Sequence, residues 1–169
     1  MIKKQTLSFS ATEYKIWLTK LLVLSVTMIL TTIISAQNDS IEIRQSISQL
    51  FDGMRRFDST MIKMVLADDV VLKTVAENTQ GETIIKTESV SAFIQMVGTP
   101  QSGVTYDERI ISMDIKIDQK MASVWAPYRF YLNQALHHCG VNVFTMAKLK
   151  NTWTIISITD TRKKVDCGD

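Results

Sequence analysis

The spacing of apolar residues switches between helical and strand periods along the chain. Ile43, Ile47, Leu50, Phe51 and Met54 recur at steps of three and four and predict a helix that Asp39 or Ser40 can cap. Gly53 lies near its end, and Arg55 and Arg56 suit its negative C-terminal dipole. Asp58 or Ser59 then opens a short second helix through Met61, Ile62, Met64 and Val65, broken by Ala67-Asp68-Asp69. From Asp69 the text turns β-branched. Val70 to Val75 predicts a strand, Asn78 to Gly81 a turn, and Glu82 to Lys86 a second strand. Helical spacing returns in Val90, Phe93, Ile94 and Val97, opened by Thr87 or Ser89 and stopped by Gly98-Thr99-Pro100. Four further strands are expected. Ile111 to Ile117 alternates with polar residues. Met121 to Leu132, His137 to Leu149 and Thr152 to Thr161 follow, with turns at Asp118-Gln119-Lys120, Asn133-Gln134 and Lys150-Asn151.

Consecutive strands joined by such short connections pair antiparallel. The expected class is therefore α+β: a strongly curved antiparallel sheet with three helices from the N-terminal half packed on it. A bent sheet closed by a long helix leaves a conical hollow, which is a candidate ligand site.

Residues 1–36 carry a different signal. Lys3, Lys4, Lys15 and Lys20 precede an uncharged apolar run from Leu21 to Ile34, and Ile34-Ser35-Ala36 offers small residues before a cut ahead of Gln37. This predicts a cleaved export signal, with an uncleaved anchor as the alternative, and a periplasmic or secreted domain over 37–169. No Cys follows the apolar run, which argues against a lipoprotein. The formal charge of the whole chain is +2, from 19 basic and 17 acidic residues. The signal holds four Lys and one Glu, so 15 and 16 remain and the basic surplus disappears. With no basic block beyond Arg162-Lys163-Lys164, nucleic acid is not an expected partner, and no membrane is expected after cleavage. An oxidising compartment permits a disulfide between Cys139 and Cys167, which would fasten the tail to the sheet. The alternative is a buried Cys139 with a free Cys167.

The element order resembles the nuclear-transport-factor-2-like superfamily, which includes ketosteroid isomerase and the polyketide cyclases. The resemblance covers nearly all of residues 39–162. It is carried by Phe51-Asp52-Gly53-Met54 followed by Asp58, Ala67-Asp68-Asp69, Ser123-Val124-Trp125-Ala126-Pro127-Tyr128, His138-Cys139-Gly140-Val141-Asn142, and Trp153-Thr154-Ile155-Ile156 with Asp160-Thr161-Arg162. Locally the text is similar to bacterial secreted members of the SnoaL-like or lumazine-binding type. The resemblance implies a conical, cystatin-like roll whose first helix roofs the hollow, which makes Asp52 an acid/base candidate. It also allows a homodimer through the sheet face. It implies no particular reaction, because one cone serves isomerases, cyclases, dehydratases and plain binders. An Asp base with a Tyr–Asp oxyanion pair cannot be assigned residue by residue, so that activity is not carried over.

Residues two apart in a strand share a face. Ser123, Trp125, Pro127, Arg129 and Tyr131 form one set. His138, Gly140, Asn142, Phe144 and Met146 form another, and Ile156, Ile158, Asp160 and Arg162 a third. Joining these sets gives an expected pocket wall of Trp125, Arg129, His138, Asn142 and Asp160, with Arg162 beside them. The alternative is that this wall is the solvent face. In the pocket reading Arg129 pairs with Asp160 or meets an anionic or carbonyl-bearing ligand, and Trp125 offers a stacking surface. His138 is a candidate general base or hydrogen-bond donor. A bulge at Pro127 would disturb this parity.

His137-His138-Cys139 places only His137 and Cys139 on one side of a strand, too few ligands for a metal, so none is expected. No phosphate loop or nucleophile elbow is present, and no cofactor is expected. The functional expectation is an exported domain that binds an unknown small molecule, partly aromatic or anionic, in a conical pocket. An isomerase, dehydratase or cyclase using His138 or Asp52 as base, and a non-catalytic homodimeric interaction module, are the alternatives.

Overall fold

A computed structural model describes the backbone of residues 11–168, and the side chains there except at positions 11, 13 and 26–36. The first ten residues of the expected signal, and the side chains of its cleavage region, lie outside the described residues. The chain divides into two compact units, Met1–Asn38 and Asp39–Asp169. In the first, α1 (Ala11–Arg56) begins, with Tyr14, Trp17 and Leu22 exposed on it. Among the described residues, no helix is long and apolar enough to cross a membrane.

The second unit contains the rest of α1, α2 (Ser59–Lys63), β1 (Leu66–Glu77), β2 (Thr83–Glu88) and α3 (Val90–Gly98). Then come β3 (Tyr106–Ile110), β4 (Asp114–Asp118), β5 (Met121–Leu132), β6 (Ala135–Leu149) and β7 (Thr152–Thr161). The strands form one curved, unclosed sheet in the order β2-β1-β7-β6-β5-β3, with β4 also on β5. All pairings are antiparallel except β1 with β7, so the sheet is mixed. The expected strand over 111–117 is shorter, β4 alone, and an unexpected strand, β3, precedes it. β3 and β4 share one edge of β5, and the Ile111 N–H still donates to the Pro127 carbonyl between them. β3 is strongly polar (Tyr-Asp-Glu-Arg-Ile), which hides it from a search for apolar alternation.

The expected apolar stripe packs as a core. Ile43, Ile47, Leu50, Phe51 and Met54 bury against Val124, Ala126, Phe144, Met146, Trp153 and Ile155 of the sheet. Asp58 caps α2, accepting hydrogen bonds from the Thr60 and Met61 amides, and Ser89 caps α3. Asp39 does not cap, because α1 runs through it. Its carboxylate instead accepts from Lys148 Nζ at 2.5 Å and Trp153 Nε1 at 2.9 Å. These two bonds hold the Asp39 carboxyl below its ordinary pKa and fasten the helix to the β6–β7 hairpin.

The tail is tied down as well. Cys139 and Cys167 form a disulfide. Cys139 and Lys163 exchange both backbone hydrogen bonds, at 3.0 and 2.9 Å. The bridge closes a loop of sequence separation 28, for which lost unfolded-chain entropy corresponds to about 3–4 kcal/mol. Cys139→Ser/Cys167→Ser, or reduction, should therefore lower the unfolding free energy of the domain in urea by roughly that amount, shifting the midpoint down, while leaving the far-ultraviolet circular dichroism unchanged. An unchanged midpoint would remove the bridge from the stabilising contacts.

Candidate functional site

The inner face of β5 is set by its burial. Ala122, Val124, Ala126 and Tyr128 are buried, while Trp125 is 55% exposed. Directly opposed residues share a face. Val124 faces Phe144, Ala126 faces Asn142, and Phe130 faces His138. The next row continues from Asn142 to Asp160 and on to Thr74. Together with α1 and α3, Thr74, Tyr128, Phe130, His138, Asn142, Phe144 and Asp160 of this face enclose a half-open cavity of about 460 Å³. Leu50, Phe51, Met54, Phe93, Phe130, Phe144 and Ile158 line its apolar part, and Glu108, Asn142, His138, Asp160 and Arg162 its polar part.

Of the expected wall, the structure brings His138, Asn142, Asp160 and Arg162 together around this cavity. Trp125 and Arg129 are corrected: both point to the opposite face of the sheet. Trp125 opposes Val143 and Arg129 opposes Cys139. Arg129 donates to the carbonyls of Cys167 and Gly168, so it clamps the tail rather than pairing with Asp160. The physical reason is a bulge between Phe130 and Tyr131 in the β5–β6 register, with His137 as the extra residue. Pro127 itself carries no bulge: it stays in register opposite Val141 and lies in the gap between the β3 and β4 pairings of β5. Asp52 is also corrected. It does not line the cavity, and its exposed carboxylate accepts from Arg55 at 2.5 Å.

Asp160 is the centre of the polar part. It is buried and accepts from Thr74 Oγ1 at 2.5 Å and from Arg162 Nε at 2.6 Å, with the Tyr128 hydroxyl at 3.3 Å. Tyr128 also reaches the Thr161 carbonyl at 3.0 Å. Gly140 makes room for this arrangement. A Cβ there would stand 1.8 Å from the Thr161 carbonyl oxygen and 3.1 Å from the Tyr128 ring. Burial drives the Tyr128 pKa up, and the neighbouring carboxyls of Glu108 and Asp160 add to it.

Glu108 and Tyr128 were not among the expected site residues. Glu108 points inward from β3, and its Oε1 accepts from Asn142 Nδ2 at 2.6 Å. Its remaining accessible surface borders hollows. Burial, with Asp160 adding, pushes its carboxyl up to about 7, against the Asn142 hydrogen bond that lowers it. His138 moves the other way. Burial, then the charges of Arg162 and His137, lower it to about 4. Its ring lies 4.8 Å from that of Phe130, and its Nδ1 is 2.8 Å from Nδ1 of His137. Near neutral pH the cavity thus holds an uncharged imidazole beside a carboxyl group poised to gain or lose a proton. The signal that would have found Glu108 is an acid two residues from both Tyr106 and Ile110, on one strand face. Among the described residues, no group of three or more His, Cys, Asp or Glu could hold a metal.

No family model matches the chain, and no curated protein matches it. Solved structures do. A protein of unknown function from Shewanella baltica described as NTF2-like is 14% identical, with a TM-score of 0.55 over 75% of this chain and 95% of that one. An NTF2-like protein with a cystatin-like fold from Novosphingobium aromaticivorans gives 11% identity and a TM-score of 0.64 over 81% and 90%. A candidate dehydratase of the NTF2-like family from Streptomyces avermitilis gives 10% identity and 0.58 over 77% and 99%. The chain therefore has the nuclear-transport-factor-2-like, cystatin-like fold.

The opposite pKa displacements define a test. Glu108 rises from 4.5 to about 7 on folding, so the native state holds its proton more tightly and the group's contribution to stability falls as pH rises across that window. Its size is on the order of 3 kcal/mol. His138 falls from 6.5 to about 4, so its contribution is lost as pH falls across that window. That loss is smaller, because water reaches the ring. The two oppose each other in the wild type. Urea unfolding of Glu108→Gln between pH 5 and 7 should gain stability relative to wild type as pH rises, and His138→Gln should show the reverse. Slopes parallel to wild type in both variants would contradict these environments.

Proposed function

We propose that the Asp39–Asp169 unit is an exported binding domain whose cavity takes a small, largely apolar, ring-bearing molecule with one polar end. The observation that carries this reading is the gradient inside the cavity, from an apolar wall under α1 and α3 to the Glu108–Asn142–His138 cluster. A ring can lie against Phe130 and Phe144, and a carbonyl or hydroxyl can meet the amide and carboxyl groups. An anionic ligand is disfavoured here. Arg129 lies outside, and Arg162 is already paired with Asp160 at 2.6 Å. Export rests on the sequence of residues 1–36. The disulfide supports it, because such bridges persist in oxidising compartments.

One observation favours an enzyme as the second reading. Two titratable groups in one cavity have pKa values displaced in opposite directions, a pattern that suits acid–base chemistry of the isomerase, dehydratase or cyclase type. The Streptomyces avermitilis protein described as a candidate dehydratase shares the fold. In that reading Glu108 transfers the proton and His138 stays neutral as a hydrogen-bonding partner. A homodimer remains part of the proposal, because Trp125 and Met121, each 55% exposed, leave apolar surface on the back of the sheet.

The test uses 1-aminoanthracene, a neutral aromatic fluorophore, together with native mass spectrometry of protein purified from its own host. Ala92 lines the cavity mouth and is exposed, so Ala92→Trp should block entry without disturbing the core. Wild type should bind the probe saturably and Ala92→Trp at least about tenfold more weakly, a loss of about 1.4 kcal/mol. A copurified ligand mass should disappear in the same variant. Equal probe binding by both proteins would sink the cavity reading.

A further inference from the structure

A second hollow, of about 550 Å³, lies where α1 crosses the break between β3 and β4. Arg44, Ser48, Phe51 and Arg55 sit at steps of four, three and four on α1 and so form one helical stripe. That stripe faces Asp107 and Arg109 of β3 and the segment Ile110–Met113. Three guanidinium groups therefore line one groove, and two carboxylates engage two of them: Asp52 takes Arg55 at 2.5 Å, and Asp107 takes both Arg55 and Arg109. Asp107 lies 3.3 Å from Arg55 and 2.6 Å from Arg109. Glu108 turns its main-chain carbonyl to Arg55 and its carboxyl to Asn142 in the cone, and its charge is felt at Arg55 rather than at Arg44 or Arg109.

Of the two flanking arginines, Arg109 shares the Asp107 carboxylate with Arg55, and Arg44 has no carboxylate partner among the described residues. Arg109 is fixed by Asp107 at its Nε and by stacking 4.1 Å over the Tyr131 ring, and its side chain is 59% exposed. Arg44 donates through one amino group to the Met113 carbonyl at 3.2 Å and has no carboxylate within ion-pair distance among the described residues. A guanidinium fixed by its neighbours gives up less freedom on meeting a planar or tetrahedral oxyanion than a free one does. Phe51 and the Ile110–Met113 segment supply apolar surface beside the charges.

We propose that this groove is a second binding site, separate from the cone, for a small organic anion whose carboxylate or phosphate is held between Arg44 and Arg109. The site stands on its own residues and does not depend on the cavity reading. Phe51 and Glu108 border both hollows.

Calorimetric titration of the folded domain with phenyl phosphate, benzoate and inorganic phosphate at fixed ionic strength tests the assignment. Saturable binding of phenyl phosphate or benzoate is expected, weakened about tenfold by Arg44→Gln and by Arg109→Gln separately. It should be unchanged in Ala92→Trp, which closes only the cone. Inorganic phosphate should bind more weakly than phenyl phosphate, and equal affinity would overturn the organic part of the assignment. Binding that ignores both arginine substitutions overturns the site. Binding lost in Ala92→Trp but kept in the arginine variants overturns it too, and places the anion in the cone. Thermal unfolding of each variant separates lost binding from lost folding.

Discussion

The register of β5 against β6 decides what this domain can do, and one inserted residue sets it. From the Asn133-Gln134 turn, Leu132 opposes Ala135 and Tyr131 opposes Leu136. Continued without interruption, that pairing would put Arg129 opposite His138 and Trp125 opposite Asn142. The bulge at His137 advances β6 by one position, so Phe130 and Ala126 take those places. A one-residue slip exchanges the two faces of a strand. Here it swaps an indole and a guanidinium for an aromatic and a methyl group, and the wall becomes one that suits rings rather than anions. The same bulge lets consecutive residues His137 and His138 both border the cavity, which an unbroken strand would not allow.

A buried carboxyl needs donors, and the two in this cavity are supplied unequally. Asp160 collects a hydroxyl from β1, a tyrosine from β5 and the Arg162 guanidinium from just beyond β7, with Gly140 providing the space for Tyr128. Glu108 receives one amide hydrogen bond and feels the Asp160 charge. Hydrogen bonds to the charged form favour ionisation, and burial beside a like charge opposes it. Burial, with the Asp160 charge adding to it, thus leaves the Glu108 carboxyl to titrate near neutrality. Its cost is paid by the fold: a carboxyl whose pKa is raised on folding weakens the native state above that pKa.

Periodicity made the helices legible, because their apolar stripe has nothing to compete with: Ile43 through Met54 and Val90 through Val97 pack as their spacing predicts. The long strands of the meander were legible for the same reason. β3 was not, since Tyr106 to Ile110 carries three charged residues in a row and pairs through its backbone. The parallel pairing of β1 with β7 is a long-range matter, fixed by how many strands intervene rather than by either segment. In the site, His138, Asn142 and Asp160 could be read from parity within their own strands. Trp125 and Arg129 could not be, because parity within a strand says nothing about register between strands. Asp52 failed differently: its neighbour Arg55, three residues on, takes its carboxylate as a partner away from the cone.

The helix roof divides the chemistry of the domain. On its inner side, Leu50, Phe51 and Met54 present apolar surface to the cone; on the adjoining stripe, Arg44, Ser48 and Arg55 present donors to the groove. Phe51 belongs to both, and its ring packs edge-on against Phe144 at 6.2 Å. The helix is held by polar contacts along its length. Asp39 meets Lys148 and Trp153, Ser46 meets the Trp153 carbonyl, Arg44 meets Met113, and Arg55 meets Asp107. Such contacts fix rotation about the helix axis, which apolar packing alone leaves loosely defined. A helix fixed in rotation keeps its apolar stripe over the cone and its arginine stripe over the sheet edge, so two ligand chemistries can be kept apart by a single turn of side chains.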